Sequence, residues 1–172
     1  GLIGCGRIAQ RFHIKTLFQI DNAELVALCD ECEETAQEIA SKYRIDRVYN
    51  NHKELLANKE IDAVVISTPP ESHFEIMEDA AEAKKHIFVE KPMASTIEEC
   101  KKIIEACQSN RVKLMVGFMR RFDKALIWSK EKIDSGDVGK TFVINSTYNL
   151  VTTYGDYLKK TDAEITSKGK TS

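Results

Sequence analysis

The residues best suited to chemistry are Glu90, Lys91 and Pro92, which follow the short apolar run 86–89. A lysine ammonium at the end of a strand can bind a hydroxyl and stabilise the alkoxide that develops as a hydride leaves the carbon. The neighbouring carboxylate can orient the lysine or change its pKa, and the proline stiffens the backbone through a trans or a cis bond. Lys91 is therefore the candidate catalytic residue. A surface Glu–Lys pair at a helix entry is the alternative.

A glycine-rich turn near the start of the chain is suited to binding a phosphate. The string GCGRIA (4–9) has the pattern GxGxxA. Its first glycine permits a tight turn, and its second lets the backbone approach a pyrophosphate. The helix that follows offers unpaired N–H groups to the anion. A turn that merely reverses the chain is the alternative. The cofactor-binding candidates in this string are Gly4, Cys5, Gly6, Arg7 and Ile8.

An acid stands where the second predicted strand ends. Asp30 follows the glycine string at about the distance that a dinucleotide fingerprint requires. Its carboxylate can accept hydrogen bonds from a ribose diol, and together with Glu31 it would repel a 2′-phosphate, so NAD is favoured over NADP. A loop acid that opens the next turn is the alternative. A methyltransferase that uses S-adenosylmethionine would also need a glycine turn and such an acid.

The segment STPPESH (67–73) follows the most clearly apolar predicted strand. Thr68 and Pro69 fix an extended backbone where a ladder cannot continue, and His73 falls in the first turn of the next helix. A histidine there is more often a cap or a packed side chain than a catalyst, since an imidazole alone is not evidence of chemistry. Thr68, Pro69 and His73 are cofactor-binding candidates, as are Glu90 and Lys91.

The elements that must position these residues alternate between short apolar strands and longer helical patterns. Repeated β–α units predict an α/β fold with a doubly wound parallel sheet, right-handed crossovers and helices on both faces. Ligands of such sheets bind at the carboxyl ends of the strands, where all the candidates fall. Strands are predicted at 1–3, 23–30, 47–49, 62–68, 86–90, 112–118 and 141–151, and helices from about 7, at 33–43, 53–58 and 72–83, from about 95, and at 122–135.

Two helix starts carry more specific patterns. In the first helix, Ile8, Ala9 and Phe12 are predicted to share one face. Before the fifth helix, Ser95 and Glu98 fit a capping box, in which each side chain bonds the other residue's backbone N–H. The apolar stripe of that helix is predicted to contain Ile97, Cys100, Ile103, Ile104 and Cys107.

Composition excludes several functions. The 172 residues are 42% hydrophobic and 30% charged, with a formal net charge of -2. The sequence contains no basic stripe, so nucleic acid is not expected as a partner. No apolar run approaches the roughly 20 residues that span a bilayer. Five scattered cysteines argue against a disulfide framework and suit a reducing cytoplasm. Cys29 and Cys32 form one CxxC, which leaves a redox pair open. A zinc ribbon would need a second such pair, so no metal is predicted.

Together these strings resemble one known family. The glycine string, Asp30, TPPESH and above all EKP (90–92) are similar to the Gfo/Idh/MocA oxidoreductases, and GFMRR (117–121) is similar to their inositol 2-dehydrogenase branch. The EKP placement and GFMRR are the specific signals. A methyltransferase asks for neither of them. The resemblance covers about residues 1–150.

The resemblance implies a Rossmann NAD(P)-binding domain over residues 1–119, followed over 120–172 by the start of an incomplete α+β domain for substrate binding and oligomerisation. It implies hydride transfer between NAD(P) and a sugar or inositol-like hydroxyl, in a homo-oligomeric full-length protein. Lys91 matches the family lysine that contacts substrate and cofactor. Met119 and Arg120 match positions that line the substrate pocket.

The sequence also departs from the family pattern. The family places a D-x-x-x-H string, with its proton-transferring histidine, after the strand expected at 141–151, and residues 1–172 contain no such string. We therefore expect the chain to be a fragment that lacks this catalytic segment. The alternative is a non-catalytic NAD-binding module or scaffold.

Overall fold

The core of the molecule is a six-stranded parallel sheet. The structure, a computed structural model, describes residues 1–147. The sheet has the order β3-β2-β1-β4-β5-β6, in which the chain moves outward from β1 to one edge and then from β4 to the other. This is the predicted doubly wound α/β fold. The strands are β1 (Leu2–Ile3), β2 (Ala27–Cys29), β3 (Arg47–Tyr49), β4 (Ala63–Ile66), β5 (His86–Val89) and β6 (Leu114–Val116).

Helices connect the strands and cover both faces of the sheet. Because strand side chains alternate between faces, Leu2 joins one buried cluster and Ile3 joins the other. The first cluster lies under the helices that follow β1 and β2, and the second under those that follow β3, β4 and β5. The helices are α1 (Ile14–Leu17), α2 (Glu33–Tyr43), α3 (His52–Ala57), α4 (His73–Glu82), α5 (Ile97–Asn110) and α6 (Lys124–Asp134), with 3₁₀ turns at Pro70–Ser72 and Met119–Phe122.

The first helix differs from its prediction. It contains a π-helical turn, Ala9–His13, which ends where the amide of Ile14 donates to the carbonyl of Ala9. An i→i+5 turn breaks the 3.6-residue period on which the predicted face depended. Of that face only Ala9 is buried, whereas Ile8 is 40% and Phe12 is 52% exposed.

The capping box of α5 lies one residue later than predicted. Thr96 accepts from the amide of Glu99, and the Glu99 carboxylate accepts from the amide of Thr96. The prediction of Ser95 with Glu98 was wrong because the string STIEE fits the same pattern in two registers. The stripe of α5 is narrower than predicted: Ile103 and Cys107 are buried, but Ile97 is 69% and Ile104 is 44% exposed.

The described residues divide into two compact units, one over Gly1–Arg121 and a second that begins at Phe122. In the second unit, the Asp123 carboxylate caps α6 by accepting from the amide of Ala125. The predicted strand 141–151 is not formed over 141–147, where the backbone has no regular structure. No strand in the described residues pairs with this segment, and a strand requires such a partner for its backbone groups. Residues 148–172, which include the rest of that strand and most of the predicted second domain, lie outside the described residues.

Within residues 1–147, no helix combines the length and the apolar character needed to cross a membrane.

Candidate functional site

The glycine turn packs directly against the end of β4. Gly4 has φ +90°, and a Cβ at this position would lie 2.7 Å from the amide nitrogen of Thr68. The Ser67 hydroxyl donates to the Gly4 carbonyl at 2.8 Å, and the Gly4 amide donates to the Cys29 carbonyl at 2.8 Å. Both the backbone conformation and the close approach require glycine at position 4. The turn is thereby held between β2 and β4.

Gly6 is different, because the space beside it is open. Among the described residues, no atom lies within 4 Å of a Cβ built at Gly6. A pyrophosphate can therefore approach the backbone there, as the fingerprint requires. The neighbouring Cys5 side chain is fully buried, so this residue can contribute only its backbone to a ligand, whereas Arg7 and Ile8 are exposed.

Asp30 joins the glycine turn to the loop after β2. Its Oδ2 accepts from the amide of Cys5 at 2.7 Å, and its Oδ1 accepts from the amide of Cys32 at 2.9 Å. Each carboxylate oxygen can accept more than one hydrogen bond, so a ribose diol can still bind. The carboxylate is half-buried at the end of β2, and this geometry fits the adenosine end of a dinucleotide.

The turn 90–92, which we call the lysine turn, follows β5. The Lys91–Pro92 bond is cis. Glu90 does not act on the ammonium through a hydrogen bond; its Oε2 accepts from the backbone amide of Lys91 at 3.2 Å. The Lys91 side chain is exposed, and no ion-pair partner for it is found among residues 1–147. The ammonium is thus available to a ligand at this edge of the sheet.

A histidine that the sequence did not single out holds Glu90. His13 Nε2 lies 2.9 Å from Glu90 Oε1, and the hydrogen bond from His13 lowers the pKa of this carboxyl. The His13 ring also meets the Phe88 ring edge-on, with centroids 5.5 Å apart. The π-helical turn brings His13 to this position, and such turns are frequent at functional sites. A histidine on the helix that leaves the glycine string was the only signal in the sequence.

His73 joins the end of β4 to the lysine turn. Its ring is fully buried, with Nδ1 2.9 Å from the Pro92 carbonyl and Nε2 3.0 Å from the Thr68 carbonyl. The ring has no surface left for a dinucleotide in this conformation. Its contribution to the site is to pack between the carbonyls of Thr68 and Pro92, and the single N–H of a neutral ring can donate to one of the two.

The segment after β6 lies beside the lysine turn. The Gly117 amide donates to the Val89 carbonyl at 2.8 Å, and a Cβ at Gly117 would lie 3.2 Å from the Phe88 ring. Glycine therefore allows this segment to approach β5 closely. Met119, which is 63% exposed, and Arg120, which is also exposed, follow in a 3₁₀ turn.

The strand order fixes the relative positions of the glycine turn, Thr68 and the lysine turn. The glycine turn follows β1, Thr68 follows β4 and Lys91 follows β5, and these three strands are neighbours in the sheet. Adjacent strands lie about 4.8 Å apart, so the glycine turn and the lysine turn are separated by roughly 10 Å along one edge. The edge lies at the topological switch point between β1 and β4, where open α/β sheets bind dinucleotides.

One further group of potential metal ligands lies elsewhere, at His52, Glu75 and Asp79. His52 Nε2 is 2.7 Å from Asp79, and the Lys53 ammonium is 3.3 Å from the same carboxylate. A cation of the protein thus already pairs with this cluster, which is an ion-pair network between α3 and α4.

The fold and this edge define a dinucleotide-binding Rossmann domain. Residues 1–118 match the model of the Gfo/Idh/MocA family, an oxidoreductase family with an NAD-binding Rossmann fold. The chain belongs to this family.

Two of the relatives that it resembles are named as inositol dehydrogenases. The chain is 34% identical over 160 residues to inositol 2-dehydrogenase of Salmonella typhimurium, a match that covers 91% of this chain and 47% of the relative. It is 38% identical over 140 residues to scyllo-inositol 2-dehydrogenase (NAD(+)) of Bacillus subtilis, covering 81% of this chain and 41% of the relative. The chain therefore spans about half the length of the relatives it matches.

A solved structure is also similar to this chain. The scyllo-inositol dehydrogenase of Lactobacillus casei with bound cofactor NAD(H) and scyllo-inositol matches with a TM-score of 0.76 and 28% sequence identity. The match covers 81% of this chain and 42% of that one.

Proposed function

We propose that the whole protein transfers a hydride between NAD and a hydroxyl-bearing carbon of an inositol-like cyclitol or a sugar. The observation that carries this proposal is the position of Lys91, on the same sheet edge as the glycine turn and with β4 between them. Family membership and the names of the relatives support it.

The nucleotide half of the site is assigned to the first part of the chain. The backbone at Gly6 and the helix that follows would bind the pyrophosphate, and Asp30 would bind the adenosine ribose. The negative charge of Asp30 and Glu31 disfavours the 2′-phosphate of NADP. Bound NAD supplies a hydride acceptor, and every other role below falls to side chains of this chain.

The substrate half is assigned to the lysine turn and the segment after β6. The Lys91 ammonium would donate a hydrogen bond to the substrate oxygen and stabilise negative charge that develops on it. Met119 and Arg120 would contact the substrate from the neighbouring turn. Because residues 1–172 contain no D-x-x-x-H string, we assign no general base within them. Residues 120–172 are proposed as the start of the α+β substrate domain.

Two measurements on the purified chain and on the whole protein test this function. Calorimetry measures NAD and NADP binding, and the absorbance of reduced nicotinamide measures turnover with myo-inositol, scyllo-inositol and glucose. We expect the purified chain and the whole protein each to bind NAD more tightly than NADP. We also expect the whole protein to oxidise at least one cyclitol. Absence of NAD binding by the whole protein would overturn the proposal.

A non-catalytic NAD-binding module is the second candidate. The observation on which it rests is that residues 1–172 contain the glycine turn and Asp30 at one sheet edge and no D-x-x-x-H string. NAD binding without turnover of any polyol by the whole protein would select this candidate over the dehydrogenase.

We also propose that the protein is a cytoplasmic homo-oligomer. The five cysteines are all free, and three of them are buried, as suits a reducing compartment. Light scattering of the whole protein tests the oligomeric state, and a monomer would contradict it.

A further inference from the structure

Lys91 lies between two residues that are each held by a histidine from a different helix. His13 holds the side chain of Glu90, and His73 holds the carbonyl of Pro92. We propose that His13 and His73 form a clamp that positions the lysine turn, and with it the Lys91 ammonium, relative to the nucleotide edge. This inference deepens the proposed function and rests on it. Both histidines are positioning residues, since they act through Glu90 and Pro92.

The first arm of the clamp ties the lysine turn to the helix that leaves the glycine turn. The His13 and Glu90 side chains are only 16% and 19% exposed, so water competes little for their hydrogen bond. The Glu90 carboxylate bonds His13 through Oε1 and the Lys91 amide through Oε2, and it therefore connects the histidine to the lysine backbone. The low pKa of Glu90 keeps it ionised and able to accept both bonds.

The second arm ties the lysine turn to the end of β4. His73 opens α4, and its two ring nitrogens face the carbonyls of Thr68 and Pro92 at 3.0 and 2.9 Å. The ring is 0% exposed, so the loss of a partner would leave a buried nitrogen of the ring without a hydrogen bond, which is costly. Thr68 in turn lies against Gly4. The arm thus runs from the glycine turn through β4 to Pro92.

The two arms together explain how the ammonium of a lysine with an exposed side chain is held at a defined position. A long side chain gains precision only when its backbone is fixed, and here the residues on both sides of Lys91 are fixed. A displacement of about 1 Å at a reacting group can cost roughly a hundredfold in rate. Loss of either arm should therefore slow turnover while leaving the nucleotide contacts in place.

The two histidines use different nitrogens, and this difference gives a sharp test. The amide nitrogen of a glutamine lies about as far along the side chain as Nε2, and that of an asparagine about as far as Nδ1. His13 bonds Glu90 through Nε2, so His13→Gln should keep the arm and His13→Asn should break it. His73 faces Pro92 through Nδ1, so His73→Asn should keep the contact with Pro92 and lose only the one with Thr68, whereas His73→Gln should lose the contact with Pro92. His86→Gln, at the other end of β5, is the control.

We expect kcat of the whole protein to fall about tenfold or more in His13→Asn and His73→Gln, and to stay within about threefold of the parent in His13→Gln and His73→Asn. The KM for NAD should change less than about twofold in all four, because no nucleotide contact is altered. Equal effects of Asn and Gln at both positions, or a change in KM in place of kcat, would overturn the clamp.

A second measurement does not depend on turnover. Hydrogen exchange of the Lys91 amide, which donates to Glu90, should be faster in His13→Asn than in His13→Gln, because the carboxylate is then no longer held. If the parent shows no turnover, the proposed function fails, and these exchange rates alone decide on the clamp: equal rates overturn it. If the buried His73 variants do not fold, the His13 pair decides in the same way.

Discussion

The backbone amide of Cys5 donates a hydrogen bond to Asp30 Oδ2 over 2.7 Å. This bond joins the glycine turn after β1 to the acid after β2, two features that the sequence suggested separately. Since Oδ1 accepts from the amide of Cys32, one carboxylate fixes two loops. Asp30 therefore shapes the turn that would bind the pyrophosphate, in addition to its proposed contact with the ribose.

Asp30→Asn tests both roles. The variant loses the charge and one of the two acceptor oxygens, so NAD should bind about tenfold more weakly, a change of about 1.4 kcal/mol. NADP should lose less, and the preference for NAD should shrink. Glu24→Gln is the matched control, since it removes an exposed charge before β2, at the opposite end of the strands and outside both loops. Calorimetry with both nucleotides measures the ratio, and an unchanged preference in Asp30→Asn would contradict the account of this residue.

Alanine substitutions at the two glycines of the turn should have different effects, one on stability and the other on NAD affinity. Gly4→Ala places a Cβ 2.7 Å from the Thr68 amide at φ +90°, so urea unfolding should show a loss of about 1–3 kcal/mol in stability. Gly6→Ala meets open space and should change stability by less than about 0.5 kcal/mol, while NAD affinity falls because the methyl group stands where the pyrophosphate approaches. Normal NAD affinity in Gly6→Ala would show that the cofactor does not cross this turn.

The cysteines should differ strongly in reactivity. Burial, reinforced by the Asp30 charge, raises the pKa of both the Cys5 and Cys29 thiols to about 12. Only a thiolate reacts readily with iodoacetamide, so at neutral pH the exposed Cys32 should be alkylated well before these two. Mass spectrometry of the native and the urea-unfolded chain makes the comparison. Rapid modification of Cys29 in the native chain would contradict this expectation and favour the hypothesis that Cys29 and Cys32 are a redox pair.

Much of the fold could be predicted from the sequence, because a parallel sheet is built from a β–α unit that repeats along the chain. Alternating apolar runs predicted the strands that form β1 to β6, and α2 and β3 begin and end at the predicted residues. The glycine string predicted the turn at Gly4, since a positive φ is a local requirement, whereas the close approach of Thr68 to Gly4 is a tertiary contact. The capping box failed for a related reason: Ser95 and Thr96 offer the same local pattern, and only the packed helix distinguishes them.

The connections around Lys91 could not be predicted in this way. His13 meets Glu90 across 77 positions of the chain, through a π-helical turn that no periodicity announces. His73 was placed correctly at the start of a helix, but its contact with Pro92 depends on how the turns after β4 and β5 pack together. Contacts between the ends of different strands are set by tertiary packing, which a single sequence does not display.

The Glu90 carboxyl should make the free energy of unfolding depend on pH in the acid range. Chiefly because His13 donates to it, its pKa lies below the ordinary 4.5 in the folded chain. A lowered folded pKa contributes stability that is fully present above about 4.5 and is lost as the pH falls through the lower folded value. The stability difference between the parent and Glu90→Gln should therefore be larger at neutral pH than at about pH 3 in urea unfolding. A difference that grows on acidification would contradict this.

The most direct test of the central claim compares turnover with NAD affinity in Lys91→Met. Methionine matches the lysine side chain as far as Cε and removes the ammonium, so in the whole protein kcat with the preferred cyclitol should fall at least about a hundredfold, while the Kd for NAD changes less than about threefold. Lys102→Met, on the exposed face of α5, should alter neither. Near-normal turnover in Lys91→Met, or a loss of NAD affinity as large as the loss of turnover, would contradict a catalytic role for Lys91 at the substrate.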